Sequence, residues 1–171
     1  MLCILLAVGA PAIPTPTIAQ VFAQTPELSF SQEILDAHNR YRSAVHVPPL
    51  VWSNSLAAAA QRWANVLNSN LQFEHDPKNH RQGENLWMGT AGMFSLTEMV
   101  DIWGQERQNF HDGTFPYVST TGNWFDVGHY SQMVWRATTS IGCAGITGAD
   151  GYYRFVCRYS PPGNVIGGRV F

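Results

Sequence analysis

Six histidines, His38, His46, His75, His80, His111 and His129, give this chain most of its capacity for proton transfer and metal ligation. Neutral imidazole is a good ligand for zinc and similar divalent ions. Sequence spacing alone does not gather the six into a site. No pair has the His-Glu-x-x-His arrangement, and neither a Cys-x-x-Cys pair nor a P-loop occurs. Ser131 does not sit in Gly-x-Ser-x-Gly, so no local sign of an esterase nucleophile exists. Two features stand out. GHYSQMVWR, Gly128 to Arg136, crowds polar and aromatic groups around the apolar pair Met133-Val134. Glu106 falls on the apolar stripe that continues from Leu96, Met99, Val100 and Trp103 to Phe110. A carboxylate there needs a buried partner.

Several elements must position these groups. Ser29 and Gln32 form a capping-box pattern ahead of Ile34, Leu35, His38, Tyr41 and Val45, whose spacing is helical. Pro48 and Pro49 stop that helix. Leu56, Ala60, Trp63 and Leu67 define a second helix in an alanine-rich run. Residues 69–94 read as loop, with Asp76-Pro77 and several glycines. Ser95 and Glu98 cap a third helix, and residues 111–127 read as loop. The stretches SIGCAGIT (140–147) and YYRFVCRY (152–159) form a hairpin. With Asp150 at its tip, Cys143 faces Cys157 across the pair, within disulfide reach.

The chain has 171 residues, enough for one domain with a real core. Charged residues make up 13%, the net charge is -2, and no basic run occurs, so the footprint of a nucleic-acid binder is missing. The apolar start MLCILLAVGA, with Val21 and Ala23 ahead of Gln24, reads as a secretory signal peptide over 1–23 that lacks the usual leading cation. A short linker, 24–30, and one domain, 31–171, follow. Removing Cys3 with the signal leaves the even pair Cys143 and Cys157, which suits an oxidising compartment. The expected location is extracellular, or periplasmic in a Gram-negative bacterium. A monomer with no transmembrane segment after signal removal is expected.

GHYSQMVWRATTSIGCA and FVCRYSPPGN resemble the two signatures of the CAP superfamily, the cysteine-rich secretory proteins, antigen 5 and plant pathogenesis-related 1 proteins. AHNRYR, LVWSNSLAAAAQRWA and GENLW match the same pattern in the same order, so the resemblance covers about residues 31–169. It implies an α+β fold, a three-layer α-β-α sandwich with a small antiparallel sheet, the SCP domain. It also implies a short helix at HYSQMVW and a cleft tetrad of His75, Glu84, Glu106 and His129. His75 and His129 are then the candidate metal ligands, zinc foremost, with Glu84 and Glu106 as supporting acceptors or water contacts. The alternative is a metal-free His/Glu cluster that ties loops to the core. The sequence departs from the family at Asp76, Ser131 and Phe110, where Ser, Thr and Tyr are usual.

The resemblance implies a secreted protein that binds a small hydrophobic ligand, lipid-like or sterol-like, or an extracellular protein or glycan partner. The apolar stretch LWMGTAGMF (86–94) could line a groove for such a ligand, separate from the His/Glu cleft, or could pack under the sheet. The alternative function is a metal-dependent extracellular hydrolase, protease-like, that activates water in the His/Glu cleft. Trp52, Trp63, Trp87, Trp103 and Trp135 are read as core. Arg40 and Arg42 are expected to pair with carboxylates, and Asn85 to satisfy backbone in its own turn.

Overall fold

A computed structural model of the protein describes residues 28–171. The signal peptide expected over 1–23 and most of the linker lie outside the described residues. Helix α1 (Phe30–Ala44) starts where the Ser29 side chain accepts from the Gln32 N–H, and it buries Ile34, Ala37, His38, Tyr41 and Arg42 on one face. It ends where His46 takes a positive φ of 57° ahead of the two prolines. Strand β1 (Val51–Trp52) leads into α2 (Asn54–Asn70), capped by Ser53 and terminated by Leu71 in the left-handed region. Strand β2 is Gly83–Thr90. Helix α3 (Leu96–Gln105) begins with a complete capping box of Ser95 and Glu98. It tightens into a 3-10 turn over Glu106–Asn109. A second 3-10 turn, Trp124–Val127, runs into α4 (Gly128–Met133). The hairpin of β3 (Ser140–Thr147) and β4 (Tyr152–Ser160) completes the fold.

The sheet has the order β1-β3-β4-β2. Its two long pairings are antiparallel, and only the two-residue β1 runs parallel to β3. Alternation along the strands divides the core. Leu86, Ala144 and Val156 face α2, where Ala60, Ala64 and Leu67 meet them. Trp87, Cys143, Phe155, Cys157 and Tyr159 join the larger cluster with α1, α3 and α4. The result is a three-layer α-β-α sandwich. Gly142 lets α2 sit directly on β3, because a β-carbon there would collide with the backbone of Ala57 and Ser53.

Cys143 and Cys157 are direct partners in the β3–β4 register and form the disulfide that the hairpin arithmetic demands. The bridge spans 14 residues, which on a chain-entropy account constrains the unfolded chain by about 3 kcal/mol.

Three sequence expectations need correction. Residues 83–90 form a strand and not a loop. The segment has few β-branched residues, and its pairing with β4 decides its state. Among the described residues Arg42 pairs with no carboxylate. It is fully buried and donates to the carbonyls of Pro48, Met133, Trp135 and Thr138. Much of the Met133–Thr138 run follows α4 irregularly, and its carbonyls need donors that a guanidinium supplies. Arg40 does pair, with Asp101 at 2.6 Å. Of the five tryptophans, Trp87, Trp103 and Trp135 are buried, whereas Trp52 and Trp63 are half-buried at the edges of the core.

Candidate functional site

His129 is the second residue of α4, and Glu106 opens the 3-10 turn after α3. The Glu106 carboxylate lies across the start of α4. It accepts the backbone N–H groups of His129 at 2.9 Å and Tyr130 at 3.0 Å, and it meets His129 Nδ1 at 2.6 Å. The stripe that made Glu106 an oddity therefore ends on a helix start that needs an acceptor. The His129 ring stacks on Trp103, with centroids 5.9 Å apart and planes 11° from parallel. Trp103 in turn stacks on Phe155 and donates its indole N–H to the Leu86 carbonyl.

His75 stands in the loop between α2 and β2, and Glu84 is the second residue of β2. Glu84 Oε1 meets His75 Nδ1 at 2.6 Å and accepts the Asp76 N–H at 3.1 Å. Behind Glu84 lies Arg158, its direct partner in the β2–β4 register. The Arg158 side chain is 2% exposed and bridges Glu84 at 2.9 Å and Asp76 at 2.8 Å. Burial pushes the Asp76 carboxyl up, but the Lys78 N–H and the Arg158 guanidinium outweigh it and hold it below the usual range. The charge that this departure from the family adds is thus matched by Arg158.

A carboxylate can only accept, so in both arms Nδ1 carries the hydrogen, and in the neutral imidazole Nε2 is then the nitrogen with the lone pair. His75, Glu84 and His129 line one cavity of about 310 Å³, with Glu106 behind His129. The stacked pair Trp124 and Phe125 lines it as well, its ring centroids 4.0 Å apart. Asn164, also on the lining, donates to the Gly128 carbonyl and accepts from the Ser131 hydroxyl. Gln132 is buried and accepts the Gly163 N–H. A β-carbon at Gly83 would strike the Gln132 amide and push it off its bond to the Gly163 N–H. Asn85 does satisfy backbone, but on α4: its amide donates to the His129 carbonyl, 44 residues away. Among the described residues, no group of three or more His, Cys, Asp or Glu side chains forms a ready-made metal cage. The nitrogen donors on the cleft lining are the two imidazoles, each of which meets a glutamate through Nδ1.

Three of the four expected residues, His75, Glu84 and His129, line this cleft, and the fourth, Glu106, reaches it only through His129. His46, His80 and His111 do not line it, and His38 is buried under the sheet between the Ile34 carbonyl and the Tyr159 hydroxyl. Residues that sequence reasoning missed are Arg158, Gln132 and Asn164. Arg158 could have been found only by reading 83–90 as a strand, since its register places it opposite Glu84. The apolar stretch 86–94 lines no part of the cleft. Trp87 packs inward, whereas Met88, Met93 and Phe94 are exposed.

A three-layer sandwich whose sheet edge and two helix termini bring two His–Glu pairs to one cleft defines a class. The profile of the CAP family, described as "Cysteine-rich secretory protein family", matches residues 35–159, and the chain belongs to that family. It is 39% identical over 138 residues to "Pathogenesis-related protein 1B" of Nicotiana tabacum, covering 80% of this chain and 77% of that one. It is 38% identical to "Pathogenesis-related protein PR-1 type" of Sambucus nigra, covering 82% of this chain and 81% of the other. Among solved structures, "Crystal structure of NaASP2 with Zn2+" superposes with a TM-score of 0.69 at 22% identity, over 87% of this chain and 88% of that one.

Proposed function

We propose that the protein is a secreted CAP-family binding protein whose His/Glu cleft takes a small ligand with an apolar part, using a divalent cation held by His75 and His129. One observation carries this reading. Both imidazoles meet a glutamate through Nδ1, which leaves Nε2 of the neutral ring as the ligating atom, and both line one cavity walled by Trp124 and Phe125. Zinc suits two neutral nitrogen donors, and a bound cation would supply a Lewis-acidic point for a ligand oxygen. Glu84 and Glu106 hold the rings in place. The stacked aromatics give the ligand's apolar part a surface. The structure of NaASP2 "with Zn2+" supports this choice of cation. The disulfide and the signal-like start of the sequence support secretion. No helix among the described residues is long and apolar enough to cross a membrane.

The hydrolase alternative is less well supported by the geometry. Each glutamate already accepts from an imidazole and at least one backbone N–H, so neither stands free as a base for water. The Ser131 hydroxyl is buried and engaged.

Calorimetric titration of the mature protein with zinc tests the proposal, paired with native mass spectrometry of protein recovered from its own medium. One equivalent of zinc is expected, lost in both H75A and H129A. A small apolar mass released on chelation is expected beside it. Unchanged zinc binding in both variants would overturn the metal assignment. A ligand mass indifferent to H75A, H129A and chelator would move the ligand out of this cleft.

A further inference from the structure

Next to the cleft, and larger than it, lies a groove of about 550 Å³ between α2 and the loop 76–82. Arg62, Trp63 and Val66 form its helix wall, and Lys78, His80 and Arg81 stand on its loop wall. Arg158 reaches its floor, and Asp76, Asn79 and Gln82 line both the groove and the cleft.

Charge is what distinguishes the groove. The chain holds only ten Lys and Arg in all and is net negative. Arg62, Lys78 and Arg81, three of those ten, gather here, and all three are exposed. Among the described residues none of the three takes part in an ion pair. Asp76 is the one acidic side chain on the lining, and Arg158 already pairs with it. The remaining field is positive on both walls, and a concave wall of one sign concentrates its counter-charge. Trp63 adds an apolar face to the lining while its indole N–H is held by the Glu74 carbonyl at 3.0 Å.

We infer that this groove binds an acidic oligosaccharide, a chain of sugars that carry carboxylate or sulfate groups. Guanidinium and ammonium groups on facing walls suit anionic substituents lying between them. An indole face suits the apolar face of a sugar ring. The groove opens into the cleft at Asp76, Asn79 and Gln82, which gives an extended chain room to run on. A bilayer presents its headgroups on a plane, which cannot enter a groove whose cations line the walls. Three cations and one indole fall short of the basic stripe that holds nucleic acid.

Calorimetry of the mature protein with a uronic acid hexasaccharide tests the inference. The arms are a neutral glucose hexasaccharide, inorganic sulfate, and phosphatidylserine vesicles. The acidic hexasaccharide is expected to bind, to weaken steeply with added salt, and to shift the Trp63 indole N–H resonance. The R62Q/K78Q/R81Q variant changes only exposed side chains and is expected to keep the parent's urea midpoint while losing at least tenfold in affinity. In the H75A/H129A background the preference for the acidic over the neutral hexasaccharide, and its loss on adding R62Q/K78Q/R81Q, are expected to persist, so failure of the metal reading leaves this one standing. Equal binding of the neutral sugar, or undiminished binding by the triple variant, would overturn the inference. So would saturation by sulfate alone with no preference for the sugar, or binding confined to the vesicles.

Discussion

His129 and His75 each meet a glutamate oxygen through Nδ1 at 2.6 Å, yet the support behind the two contacts differs in kind. Glu106 is held by two backbone N–H groups at the start of α4, and among the described residues no Arg or Lys pairs with it. Glu84 takes one backbone N–H and rests on a buried guanidinium that also answers Asp76. The burial differs too. His129 is 34% exposed and stacked on Trp103, whereas His75 is 66% exposed and held on one side only. The same imidazole geometry can thus be fixed by a helix cap or by an ion pair. The two devices fail differently, because a broken buried pair leaves a stranded charge and a lost cap leaves N–H groups that water can reach.

The largest expected effect comes from breaking the ion pair. R158M leaves the 5%-exposed Glu84 carboxylate without its cation and should cost about 3–5 kcal/mol in urea unfolding. A loss under about 1 kcal/mol would mean that the two arms are supported alike.

Acid acts on the other half. His38, edge-on to the Trp103 on which His129 stacks, has its pKa pushed down to about 4 from 6.5, chiefly by burial, with Arg42 adding to the fall and the Ile34 carbonyl opposing it. The unfolded chain therefore takes the proton first. Stability should be full above pH 6.5, decline by about 3 kcal/mol as pH falls to 4, and level off below. Urea midpoints measured across that window should show the slope in R158M and lack it in H38Q.

Removing the cap is milder. E106A should cost about 1–2 kcal/mol, the worth of a helix N-cap and its hydrogen bonds. The smallest effects are those of the imidazoles themselves. H75A should stay within about 0.5 kcal/mol of the parent and H129A should lose about 1 kcal/mol with its stacking partner. A larger loss in H75A than in H129A would reverse the comparison.

The sequence made some of this legible and concealed the rest for identifiable reasons. The hairpin register and its disulfide followed from counting across GADG, because a two-stranded antiparallel ladder allows little else. The three long helices followed from their stripes, and two of their starts from caps, although only Ser95 and Glu98 close a full capping box, since the Gln32 side chain turns to Asp36. The anomaly at Glu106 was visible in the helical phase of 96–110, but its partner was not, since His129 is 23 residues on and meets it only through the tertiary fold. The tetrad as a set came from family resemblance and not from spacing. Strand β2 escaped notice because it is buried on both faces over much of its length and so lacks clean alternation. With β2 unread, the register that places Arg158 behind Glu84 was unreadable too. Arg42 was misassigned because sequence shows which carboxylates are near but not which carbonyls go without a ladder partner.

Arg42 carries a consequence for how the molecule opens. Its guanidinium joins the end of α1 to the carbonyls of Met133, Trp135 and Thr138. Neither side can come away alone without leaving a cation dehydrated and several carbonyls bare. The C-terminal turn of α1 and the segment from Met133 to Thr138 therefore belong to one cooperative unit. Their amide hydrogens should exchange with solvent at a common, slow rate, set by global unfolding, while the amides of the exposed residues His80 and Arg81 exchange far faster.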